Sequence, residues 1–111
     1  MIPSSVRIYV CTEPVDMRKS FDGLAQATVD VLRKDPHSGA LFLFANRKQT
    51  LLKIIWYDKR GFCILSKRLK RAVFVLPGPL EPGKKGVRID GRELATILEG
   101  VSLPARKRKV S

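Results

Sequence analysis

The sequence predicts one α+β domain: an antiparallel β-meander sheet, one long N-terminal helix before it, one short C-terminal helix after it, and a basic flexible tail. Three observations predict this. Apolar residues recur at spacings of three and four from Met17 to about Lys34, the period of an amphipathic helix. Four apolar, β-branched or aromatic runs follow between positions 40 and 76, joined by brief polar turns, as in strands that pair with their sequence neighbours. A second helical period follows Asp90, with Leu94, Ile97 and Leu98 on one face. On this reading residues 1–103 form the domain and 104–111 the tail.

Each element has its own signal. Val6 to Val10 is β-branched and aromatic and reads as a strand, which Pro14 breaks. Asp16 reads as the N-cap of the long helix, and Gly23 weakens that helix by about 1 kcal/mol relative to alanine. Asp35 and Pro36 end it, and Ser38 with Gly39 makes a turn. Ala40 to Ala45 is continuously apolar and therefore an inner strand. Asn46 to Gln49 is a hairpin loop, Thr50 to Tyr57 the next strand, and Asp58 to Gly61 a turn. Phe62 to Lys67 and Ala72 to Leu76 complete the meander. The run 77–86, with prolines at 77, 79 and 82, is a loop, and Val87 to Ile89 is a short strand. Asp90 with Glu93 three residues on forms a capping box, and Gly100 closes the second helix.

Charge narrows the function classes. Lysine and arginine number 22 against 10 acidic residues, a net +12 on 111 residues. Such a surface favours an acidic partner, and counterion release makes DNA the leading one. The cations cluster at Arg47 and Lys48, at Lys59 and Arg60, at Lys67, Arg68, Lys70 and Arg71, and in the tail at Arg106, Lys107, Arg108 and Lys109. These are the candidate nucleic-acid-binding residues. The tail resembles a nuclear-localisation peptide and equally suits an arm lying on a phosphate backbone. Tyr57, flanked by Lys53, Lys59 and Arg60, is the best candidate to stack on a base, while Phe42, Phe44 and Trp56 read as core.

Catalytic signals are weak. Residues 78–85 approach a phosphate-binding loop, but Lys85 stands where a magnesium-ligating hydroxyl belongs, and prolines 79 and 82 lack the N–H groups that cradle phosphate. His37 is the only histidine. Cys11 and Cys63, 52 residues apart, have neither zinc nor disulfide-framework spacing and fit a reducing cytoplasm. The expectation is a non-enzyme with no cofactor, no metal and no membrane partner, since no apolar run reaches the ~18 residues of a membrane span.

The run from Glu13 to Leu24, EPVDMRKSFDGL, resembles the small TnpB-type accessory protein (second open reading frame) of the insertion sequence 66 family of bacterial transposable elements. The resemblance continues through Asp35-Pro36, Leu41-Phe42, Trp56-Tyr57-Asp58, Gly61-Phe62 and Leu98-Glu99-Gly100, and covers roughly residues 13 to 102. Where the family often carries a tryptophan before the proline after the last meander strand, this chain has Val75-Leu76-Pro77. The resemblance implies an accessory factor for transposition in a bacterial, nucleoid-associated setting. It also implies a separate, larger transposase as partner, and it carries over no catalytic residue. Arg18 and Lys19 lie where it is densest and are candidate contacts to a partner or to phosphate. The leading expectation is non-catalytic DNA binding through a basic surface. The alternative is an adaptor that recruits or stabilises the transposase without touching DNA.

Overall fold

Ala40 to Ala45 is buried on both faces, and the rest of the structure explains why. The structure is a computed structural model that describes residues 5–104. Its elements in chain order are β1 (Ile8–Cys11), α1 (Phe21–Asp30), β2 (Leu41–Ala45), β3 (Leu51–Asp58), β4 (Gly61–Arg68), β5 (Ala72–Val73), β6 (Gly86–Ile89), α2 (Gly91–Glu99) and β7 (Val101–Ser102). The main sheet has the order β4-β3-β2-β1-β6, and β5 pairs with β7 in a separate two-stranded sheet.

The fold is a small α+β arrangement, but it is not the meander that the strand spacing predicts. Only β2, β3 and β4 are antiparallel sequence neighbours within the main sheet. β1 lies parallel to β2, with Ile8 opposite Leu41 and Val10 opposite Leu43, and antiparallel to β6 on its other side. The parallel pair exists because α1 lies in the connection between β1 and β2, long enough for the chain to cross over. The predicted fourth meander strand shrinks to Ala72–Val73 and pairs with Val101–Ser102 instead.

The long N-terminal helix is also corrected, to the ten residues Phe21–Asp30. Asp16 is not its cap. Ser20 takes that position without a side-chain hydrogen bond, because the Asp16 carboxylate is already engaged in the preceding turn. Met17 and Leu32 pack beside the helix from non-helical backbone on either side of it. Their spacing mimics further helical turns, which is why periodicity overextends the element. The chain leaves α1 through Arg33 in the left-handed region (φ 56).

Two apolar layers flank the sheet. Leu24, Ala27 and Leu32 pack on Phe42, Phe44 and Ile55 on one face. Leu94 and Ile97 of α2, with Phe74, pack on Ile8, Val10, Leu43 and Ile54 on the other. The capping box of α2 is present: Glu93 N–H donates to Asp90 Oδ1 (2.8 Å), and Asp90 N–H to Glu93 Oε1 (3.2 Å). Among the described residues no helix is long and apolar enough to cross a membrane.

Gly23 gives a first prediction. Helix propensity alone favours alanine there by about 1 kcal/mol. A Cβ at Gly23, however, would lie 2.9 Å from Lys19 Cβ and 3.0 Å from its Cγ, since the lysine stem lies across the first turn. Gly23→Ala is therefore expected to lose about 1 kcal/mol of stability in urea denaturation, overpacking outweighing propensity. A gain would show that the Lys19 stem moves aside freely.

Candidate nucleic-acid interface

Strand register sorts the basic residues by end of the sheet. Ala45 pairs with Leu52 and Leu51 with Arg68, so the Asn46–Thr50 loop and the end of β4 share one end. β1 runs parallel to β2, which brings the loop 12–20 there, and Cys11 opposite Gly86 adds Lys84 and Lys85. From β4 to β6 this end spans about 19 Å, four strand spacings of about 4.8 Å.

Three local structures present its cations. In the first, Asn46 Oδ1 accepts from the N–H groups of Thr50 (2.9 Å) and Leu51 (3.0 Å), holding the loop that carries exposed Arg47 and Lys48. In the second, the segment after β4 is tied back by Leu69 N–H to Thr50 O (2.8 Å) and Phe74 N–H to Gln49 O (2.7 Å). Lys70 and Arg71 therefore stand beside the same loop. Arg71 also accepts at its carbonyl from Leu103 N–H (2.8 Å), so the last described residues lie at this end.

The third is the 12–20 loop. Val15 N–H donates to Ala45 O (3.0 Å), and the Lys53 ammonium reaches from β3 to the carbonyls of Met17 (2.6 Å) and Lys19 (3.0 Å). Lys53 thus holds the loop against the sheet, a role that sequence reading missed because 34 or more residues separate the partners. Arg18 donates through Nε and Nη2 to both oxygens of Asp16, with Nη2 to Oδ2 at 2.9 Å. This pairing explains Arg18 locally, while exposed Lys19 has no ion-pair partner among the described residues.

The Arg18 guanidinium and backbone N–H hold the Asp16 carboxyl down at about 2. A carboxylate with a depressed pKa stabilises above its unfolded value, about 3.9, and that contribution is lost as pH falls toward 2. Arg18→Ala is expected to raise the Asp16 midpoint toward about 3.9 without reaching it, because the backbone N–H of residue 18 still donates to Asp16 Oδ1; the shift is read from the side-chain carbonyl NMR signal against pH. A midpoint left near 2 would assign the depression to something other than Arg18.

Not every predicted residue joins this surface. Lys59 and Arg60 form the two-residue turn between β3 and β4, at the far end of an eight-residue strand, about 26 Å away. Lys67 is half-buried, and its ammonium donates to the carbonyl of Leu98 in the last turn of α2, where a cation complements the helix dipole. Arg68 is exposed. Tyr57 is half-buried at the far end and packs on His37 (4.9 Å between rings) and Phe62 (5.2 Å). Arg106, Lys107, Arg108 and Lys109 lie outside the described residues.

Three carboxylates at the basic end are held in ion pairs, while Asp22 in the first turn of α1 and Glu99 at the end of α2 make none among the described residues. Asp16 pairs with Arg18, Glu13 with Lys85 (3.3 Å) and Glu81 with Lys84 (3.6 Å). Arg47, Lys48, Arg68, Lys70 and Arg71, like Lys19, carry no ion pair among the described residues. Among those residues no three His, Cys, Asp or Glu side chains gather to hold a metal ion. Burial pushes the Cys11 thiol up, so it stays protonated at neutral pH as a weak donor to Glu13 O.

The family described as IS66 Orf2 like protein matches residues 6–108 of this chain. The uncharacterized protein y4hO of Sinorhizobium fredii is 40% identical over 103 residues, covering 91% of this chain and 87% of that protein. The uncharacterized protein y4jC of the same organism is 30% identical over 104 residues, covering 94% and 86%. No solved structure matches the chain.

Proposed function

This chain belongs to the IS66 Orf2-like family, and from that premise we propose that it serves transposition as a non-catalytic accessory protein that grips DNA with one end of its central sheet. One observation carries the reading: Lys19, Arg47, Lys48, Arg68, Lys70 and Arg71 stand at that end with no carboxylate partner among the described residues. A duplex carries one negative charge per about 1.7 Å, so a 19 Å face meets enough phosphates to engage all six. Such contacts fix position and orientation on the backbone. Leu103, just before the tail, is bonded to Arg71 at the same end. Anisotropy with labelled duplex and single-stranded DNA of equal length tests the proposal. Binding that tightens as salt is lowered supports it, and no binding at low salt rejects it.

A second reading, the adaptor for the transposase, draws on a different observation. Val75, Val101 and Leu103 are each at least half exposed on or beside the small sheet. A pull-down with the transposase of the same element, after nuclease treatment, separates the two readings. A complex that survives favours the adaptor, and one that is lost favours bridging by DNA.

A further inference from the structure

On the α1 face, β1 and β6 border a cleft of about 550 Å3 between the end of α1 and the loop before β6. Its wall on one side is Asp30 to Lys34, and on the other Gly83 to Lys85. Tyr9 and Arg88, opposite one another in the β1–β6 register, line it as well. Five cations, Arg33, Lys34, Lys84, Lys85 and Arg88, face one carboxylate, Asp30, which already accepts from Gln26 Nε2 (2.9 Å).

The cations divide by task. Lys84 and Lys85 are paired with Glu81 and Glu13 and fix the loop. Arg33, Lys34 and Arg88 are exposed and make no ion pair among the described residues. The Lys34 ammonium sits 4.6 Å from the centre of the Tyr9 ring, a cation–π contact, and that ring stacks on Phe42 at 5.8 Å. Arg33 has φ 56, a conformation that disfavours a side chain, yet arginine rather than glycine occupies it. Gly86 lets the buried Leu32 side chain pack against the start of β6: a Cβ there would lie 3.0 Å from Leu32 Cδ2.

We propose that this cleft binds the phosphorylated end of a DNA strand, one nucleotide deep, with Arg33, Lys34 and Arg88 on the phosphate. Its volume is in the range of small-ligand pockets, about 300–1,000 Å3, which admits a nucleotide and excludes a duplex. A terminal phosphate carries close to two negative charges at neutral pH, and an internal diester carries one. Three unpaired cations in one concavity match the higher charge, while the flat basic end of the sheet matches diesters met singly. The inference rests on the DNA-binding reading and adds to it a second contact, with strand ends.

The test uses one internally labelled single strand in three forms: 5′-phosphorylated, 3′-phosphorylated, and hydroxyl at both ends. The full chain is expected to bind at least one phosphorylated form fivefold or more tighter than the hydroxyl form. In Arg33→Gly/Arg88→Thr that preference disappears while binding to the hydroxyl form stays within about twofold. Glycine suits φ 56 and threonine suits a strand, so the variant is expected to unfold no earlier than the parent. Equal affinity for all three forms overturns the cleft assignment and leaves the DNA reading standing. Failure to bind any form overturns both. A preference that survives in the double variant places the phosphate elsewhere and overturns the assignment. So does a cleft whose Tyr9 and Arg88 NMR signals respond to free nucleoside monophosphate and not to the phosphorylated strand, since the ligand is then a free nucleotide.

Discussion

Reversing Arg47 and Lys48 to glutamate is expected to weaken duplex binding about a hundredfold at 0.1 M salt. Each phosphate contact contributes about 0.9 logarithmic units of counterion release between 0.1 M and 1 M salt, so two lost contacts remove nearly two. Both side chains are exposed on a loop organised by Asn46, and neither packs in the core, so the fold tolerates the change. The same reversal at Lys59 and Arg60 is expected to change affinity less than threefold, because that turn lies about 26 Å away at the other end of β3. The two pairs are chemically alike, adjacent to strands and both exposed. Equal losses from both would mean that the chain binds DNA by net charge alone, with no preferred face.

Gly100→Ala is expected to destabilise the fold by about 3 kcal/mol. Gly100 ends α2 at φ 74 and ψ 177, a region that side chains enter at a cost of about 1–3 kcal/mol. A Cβ there would also lie 2.5 Å from Leu69 Cδ1 and 3.2 Å from the Val73 carbonyl, adding an overpacking cost of about 1–3 kcal/mol. Leu69 packs against the core and its backbone is bonded to Thr50, so it has little room to retreat. Urea denaturation reads the change as a lower midpoint at unchanged slope. A loss under 1 kcal/mol would show that the α2–β7 junction rearranges readily.

Local chemistry made several elements legible. The unbroken apolar run at 40–45 identified a strand covered on both faces, and Asp90 with Glu93 identified the start of α2. Long-range pairing was not legible. Nothing in Val6 to Val10 states that its neighbours are β2 and β6, and that placement turns a meander into a mixed sheet. Met17 and Leu32 kept helical spacing without helical backbone, so the pattern read as a longer helix.

The candidate site was legible as composition and not as geometry. Basic pairs at 47–48 and 59–60 look equivalent along the chain, and only the length of β3 assigns them to opposite ends. Lys67 belonged to the same sequence cluster as Arg68, but strand alternation turns it toward α2, where it caps a helix. Arg33 and Arg88 are 55 positions apart, so only the β1–β6 pairing could bring them into one cleft.

The most direct test of the DNA-binding account is the salt dependence of duplex affinity for the unmodified chain. Six neutralised phosphates give a slope of roughly −5 in log K against log salt. A slope near that value, falling by about two units in Arg47→Glu/Lys48→Glu, is the predicted result. A slope near zero, or affinity too weak to measure at low salt, would contradict it.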